Sequence, residues 1–112
     1  MKITVLAGSP HRNGTTSVLV KAFTEGAEEA GNEVTCLNLA SMNIHPCLGC
    51  DHCRQHGGVC VHRDNMNVVR EAVSQADLVA FVTPLYYFGM SAQLKTAIDR
   101  FYAFNEELRS SA

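Results

Sequence analysis

The sequence predicts an α/β protein built on a doubly wound parallel sheet, and three observations lead there. Short apolar runs at Ile3–Ala7 and Leu78–Thr83 have the length and continuity of strands covered on both faces, and Val34–Leu39, which alternates only partly but is bounded by turn residues, reads as another strand. Segments of helical spacing lie between and after them, giving βαβ, a long loop, then αβα. Strands that alternate with helices pair in parallel through crossover connections. At 112 residues and 46% hydrophobic content, the chain is one domain with enough apolar material for a core.

Ile3–Ala7 leads into Gly8 to Ser17, GSPHRNGTTS. Val18 to Ala30 then reads as an amphipathic helix with Leu19, Phe23, Ala27 and Ala30 inward, ended by Gly31-Asn32. Cys36, in the second strand, reads as a small buried apolar residue. Ala40 to Arg63 is irregular and holds Pro46, Gly49, Gly57 and Gly58; a loop of that length in a small domain is usually functional. Asp64 suits the N-cap of a helix reaching about Ala76, with Met66, Val69, Val73 and Ala76 inward. Pro84 stops the third strand. After PLYYFG, a last helix is expected from Ser91 to about Phe104, carrying Leu94, Ile98, Phe101 and Tyr102 inward; Asp99 and Arg100 read as a solvated or salt-bridged face.

The formal net charge of −2 gives no basic field for nucleic acid. No run approaches the roughly 18 apolar residues of a membrane span, and the start of the chain has no leader pattern. A cytoplasmic location is therefore expected, where five cysteines suggest metal or redox chemistry before disulfides.

Two stretches carry chemistry. A loop running from a strand tip into a helix start aims unpaired N–H groups and the positive end of the helix dipole at one spot. Ser9, Thr15, Thr16 and Ser17 add hydroxyls and Arg12 adds charge, which together make a phosphate cradle. It is not a Walker loop, since Thr15 and Thr16 follow Gly14, and it lacks the G-x-G-x-x-G fingerprint. The plain alternative is an ordinary strand-to-helix turn with His11 exposed. In the second stretch, Cys47, Cys50 and Cys53 are spaced C-x2-C-x2-C, with Cys60 after six further residues and His45, His52, His56 and His62 close by. Thiolates this close suit an iron–sulfur cluster or zinc, or mark a loop that binds no metal.

GSPHRNGTTS, PCLGCDHC with Cys60, DNM and TPLYYFGMSAQLKTAIDR together resemble the flavodoxin-like NAD(P)H-dependent oxidoreductases. That superfamily includes NADPH-dependent FMN reductases, quinone reductases and iron–sulfur flavoproteins. The resemblance implies FMN at the carboxyl ends of the strands. Ser9, Arg12, Asn13, Thr15, Thr16 and Ser17 would hold its phosphate. Pro84, Leu85, Tyr86, Tyr87, Phe88 and Gly89 would line its ring, with the Tyr86 side chain nearest. Cys47, Cys50, Cys53 and Cys60 would hold a [4Fe–4S] cluster. Residues 1–112 would then be the N-terminal portion of an FMN-binding domain with a cysteine-rich loop at 45–62.

The implied activity passes electrons from NAD(P)H through FMN to a small acceptor, with no side chain as general acid or base. An electron carrier between FMN and a cluster, serving a redox protein partner, is the alternative. A truncated, non-catalytic domain is another. The family's sheet has five strands in the order 2-1-3-4-5, so this chain is expected to form only 2-1-3. The apolar Leu78–Thr83 strand would then lie at an edge, and a homo-oligomer covering it is expected.

Overall fold

In the computed structural model, β1 (Lys2–Ala7) is the central strand of a three-stranded parallel sheet of order β2-β1-β3, with β2 at Glu33–Asn38 and β3 at Leu78–Val82. The order is the expected 2-1-3. The structure describes residues 1–11 and 14–110, without the side chains at 106, 109 and 110. Val5 sits opposite Cys36 and Ala80, and Ala7 opposite Asn38 and Val82. The three strands therefore end level, and the loops that leave them share one edge. Ile3, Thr4, Val5 and Leu6 are buried, as a strand flanked by two others and covered on both faces requires.

The crossover rule places the helix after β1 and the helix after β2 on opposite faces. α1 (Thr15–Glu29) packs on the sheet from one side. On the other, α3 (Met66–Gln75) and α4 (Ala92–Asp99) close the main core: Leu6, Leu39, Met66, Val69, Val73, Leu94, Ala97 and Phe104. The buried Thr4 hydroxyl donates to the Ala72 carbonyl at 2.8 Å, so this polar group costs little inside. At the amino edge, the Lys2 N–H donates to the Asp77 carboxylate and the Asp77 N–H to the Lys2 carbonyl, each at 2.7 Å. Short pieces complete the chain: a 3₁₀ turn at Leu39–Ser41, α2 (His52–Gln55), a 3₁₀ turn at Arg100–Phe104 and α5 (Asn105–Ser110). Among the described residues, no helix is long and apolar enough to cross a membrane.

Four expectations are corrected here. α1 starts at Thr15, so the three hydroxyl residues form its first turn, and its inner side is Thr16, Val20, Thr24 and Ala27. Leu19 (56% exposed) and Phe23 (38%) flank it, because a three-stranded sheet is too narrow to cover them. Cys36 is exposed, since β2 is an edge strand. The last helix is broken at Arg100 by the 3₁₀ turn, which turns Tyr102 outward to 40% exposure. Asp99 does pair with Lys95 on the surface, but Arg100 is buried. β3 is an edge strand as expected, with Leu78 and Phe81 nearly half exposed.

Candidate functional site

All three segments with candidate chemistry follow the carboxyl ends of strands. The first is fixed by Gly8, whose N–H donates to the Val82 carbonyl at 2.9 Å and ties the start of the loop to the end of β3. A Cβ at Gly8 would stand 2.6 Å from Ser91 Oγ and 2.8 Å from Leu94 Cβ, so only glycine admits the first turn of α4 this close. Ser91 is 0% exposed; its Oγ caps α4 by accepting from the Leu94 N–H, and its own N–H donates to Thr83 Oγ1 at 2.9 Å. Ser9, also buried, accepts the His11 N–H on its Oγ at 3.1 Å.

Gly14 is the N-cap of α1 and, among the described residues, no side chain caps that helix, which leaves the N–H groups of Thr15 and Thr16 at the positive end of its dipole. Thr16 is buried and Thr15 exposed. Arg12 and Asn13 lie outside the described residues. A hollow of about 200 Å³ at this helix start is lined by Ser9, His11, Thr16, Ser17, Lys21, Cys36 and Asn38, among others. Lys21 was not singled out from the sequence, although it stands one turn after Ser17, the spacing that puts two side chains on one helix face. Although Cys36 is exposed, the protein around its sulfur withdraws some water and pushes the thiol above its ordinary pKa, so it sits here mainly neutral.

Pro84 to Gly89 do not line that hollow. They form a projection beside it, in which Tyr86 and Gly89 exchange backbone hydrogen bonds at 2.8 and 2.9 Å across a two-residue turn. Tyr87 (φ 42°) and Phe88 (φ 68°) occupy the turn in the left-handed region, which bulky residues rarely adopt. Their rings are almost wholly exposed, as is Leu85. Strained backbone under exposed aromatic rings is a common mark of a ligand-contacting segment.

The cysteine-rich loop is held from three directions. The Asp64 carboxylate accepts the His45 N–H at 2.8 Å, the Met66 N–H at 3.0 Å and two bonds from Arg100, while Arg100 Nη1 also donates to the His45 carbonyl at 2.8 Å. Arg70 Nη1 donates to the Gly58 carbonyl at 2.6 Å, and the Tyr102 hydroxyl donates to Asp51 at 2.7 Å. Gly58 has φ 86°, and a Cβ there would meet the Ala103 carbonyl oxygen at 2.9 Å. Both partners in the Asp64–Arg100 pair are at most 3% exposed. Burial alone would raise the Asp64 pKa, but the Arg100 hydrogen bonds, the two backbone donors and the guanidinium charge outweigh it and lower it to about 2.

Within this frame Cys53 is buried, Cys60 half-buried, and Cys47 and Cys50 exposed. All four line one crevice, together with Arg100 and Tyr102. Backbone N–H groups of Gly49 and His62 donate to the sulfurs of Cys47 and Cys60 at 3.4 and 3.5 Å, the kind of donor that favours thiolate or cluster sulfur. Among the described residues, no group of three or more His, Cys, Asp or Glu is already gathered to hold a metal ion, so the four thiols are near one another without forming a finished metal site. The histidines pair with each other instead, His45 with His62 and His52 with His56 in stacked rings. The donor set, four soft thiols with N–H groups beside them, fits an iron–sulfur cluster. The crevice encloses only about 20 Å³, so seating one requires its lining residues to move apart.

A carboxyl-edge hollow at a helix start, beside an aromatic turn on a 2-1-3 parallel sheet, defines a flavodoxin-like α/β protein. A model of the NADPH-dependent FMN reductase family matches residues 1–111, and the chain belongs to that family. It is 37% identical over 100 residues to an iron–sulfur flavoprotein of Archaeoglobus fulgidus, covering 89% of this chain and 45% of that protein. An iron–sulfur flavoprotein of Methanocaldococcus jannaschii is 34% identical, with 89% and 51% covered. Among solved structures, an NAD(P)H:quinone oxidoreductase from Methanothermobacter marburgensis superposes with a TM-score of 0.73 at 28% identity, covering 91% of this chain and 53% of that one. The chain thus spans about half the length of these relatives.

Proposed function

We propose that residues 1–112 form the FMN-binding portion of an oxidoreductase in which electrons pass between FMN and a [4Fe–4S] cluster on Cys47, Cys50, Cys53 and Cys60, serving a redox partner. The observation that carries this reading is the placement of all four cysteines on one crevice. The names of the archaeal relatives support it. FMN, when bound, supplies hydride and single-electron chemistry. The chain's own residues bind and orient it: Ser9, Thr15, Thr16 and Ser17, with Arg12 and Asn13 on the same loop, take the phosphate, and Lys21 adds charge. The Pro84–Gly89 segment meets the ring and sets access to it. No side chain is assigned a proton-transfer role. The second reading, NAD(P)H reduction of a small acceptor such as a quinone, is favoured by the superposition on the quinone oxidoreductase.

The test is anaerobic purification followed by iron and acid-labile sulfide assay. Four irons per chain are expected in the parent and in Cys36→Ser, and none in Cys50→Ser. Iron-free parent protein that is yellow and oxidises NAD(P)H would leave the quinone-reductase reading in its place.

The phosphate site has its own prediction. A charge-assisted hydrogen bond contributes roughly 1.5–3 kcal/mol, and 1.4 kcal/mol is a factor of ten. Thr16→Ala should therefore weaken FMN binding about tenfold or more, while riboflavin, which lacks the phosphate, binds parent and variant alike. Equal FMN titrations for the two proteins would remove Thr16 from the site.

A further inference from the structure

Arg100 is a buried cation with an incomplete set of hydrogen bonds. Its side chain is 3% exposed. Nη1 donates to Asp64 and the His45 carbonyl and Nη2 to Asp64, but Nε, fully enclosed, has no partner among the described residues. Buried donors on charged groups are almost always satisfied, so this one is left for an acceptor that the described residues do not supply. The residue lines the crevice flanked by the four cysteines. Other donors nearby are already used: the Tyr102 hydroxyl by Asp51, and Arg70 by the Gly58 carbonyl and Glu107.

We propose that Arg100 Nε–H donates to a sulfur of the cluster at this crevice and makes that cluster easier to reduce. The proposal rests on the cluster reading of the cysteines given above. One-electron reduction, with reduced FMN as the donor that gives up the electron, would convert one ferric equivalent to ferrous and add one negative charge to the site. A charged N–H directed at sulfur stabilises that added charge. Because Asp64 offsets much of the guanidinium charge, the directed N–H carries the effect. Lysine at this position keeps the charge and lacks the forked geometry that serves Asp64 and sulfur together.

The experiment compares reconstituted parent and Arg100→Lys by iron assay and by dithionite titration followed by electron paramagnetic resonance. Arg100→Lys should hold four irons per chain and show its reduced-to-oxidised ratio at fixed potential lowered about tenfold, a 59 mV fall for a one-electron couple. Full iron with a change of less than twofold overturns the assignment. In case the variant does not fold or load, parent protein carrying ¹⁵N-guanidino arginine is reduced and measured by pulsed resonance. The same measurement is made on Arg54→Lys and Arg63→Lys: arginine-nitrogen coupling that persists in both supports the bond, and coupling that is absent from the parent or lost in either variant overturns it. Absence of iron from the parent would overturn the cluster reading and this proposal together, whereas iron with neither shift nor coupling removes only the role of Arg100.

Discussion

Asp64→Ala should cost the fold about 3–5 kcal/mol, because it leaves the buried Arg100 guanidinium without its counter-charge. The carboxylate also holds the start of α3 and the His45 backbone, so α3 and the cysteine-rich loop should loosen together. Its pKa of about 2 lies below the ordinary 3.8, so this stability is fully present above about pH 4 and is lost as the pH falls toward 2. The titrating part is about 2 kcal/mol. Urea unfolding of parent and variant at pH 7 should therefore differ widely, and the gap should narrow on acidification to pH 3 and below. A variant within 1 kcal/mol of the parent at pH 7, or a gap that widens in acid, would refute this account of the pair.

The second large effect is expected at Gly8. Its missing Cβ is the space that Ser91 and Leu94 occupy. Gly8→Ala must push α4 away from β1 or bend the loop, and overpacking of this kind costs typically 1–3 kcal/mol. The same displacement strains the Gly8–Val82 bond that joins the first loop to β3. FMN affinity should therefore fall along with stability. Gly26→Ala is the control: a Cβ there meets nothing within 4 Å, in the interior of α1, and should stabilise by about 0.5–1 kcal/mol. Thermal melts of the two variants should move in opposite directions. A Gly8→Ala melt at the parent temperature would mean that α4 yields more easily than its packing suggests.

What was legible in the sequence was what local pattern dictates. Two continuous apolar runs and one partly alternating run bounded by turn residues marked the three strands within a residue at each end, whereas their order came with the family resemblance. Asp64 reads in the sequence as the N-cap of α3; the N-cap is Asn65, one residue later, although the Asp64 Oδ1 does accept the Met66 N–H. Its second role was hidden, because Arg100 lies 36 residues away and nothing local distinguishes a buried arginine from a solvated one. The face of α1 was misread for a different reason. Bulk suggested Leu19 and Phe23, and spacing suggested Ala30, all three of which are exposed; the expected Ala27 does lie inward, joined by the smaller Thr16, Val20 and Thr24. Cys36 was misjudged although the expected order 2-1-3 already placed its strand at an edge, because strand pattern alone does not show how much of that strand the neighbouring helix covers. The left-handed turn at Tyr87-Phe88 has no signal at all, since glycine or asparagine would be expected there.

The central position of β1 also sets the timing of folding. Lys2 and Asp77, which close the amino edge of the sheet, are 75 residues apart. At roughly 5–20 residues per second, a ribosome takes on the order of 4–15 s to deliver β3 after β1. For that interval Ile3, Val5 and Leu6 can be flanked on one side only, by β2. Parallel pairing between distant segments is slow even after the chain is complete. The strand made first is thus the last to be enclosed, and holdase chaperones that bind short apolar segments have their longest opportunity there.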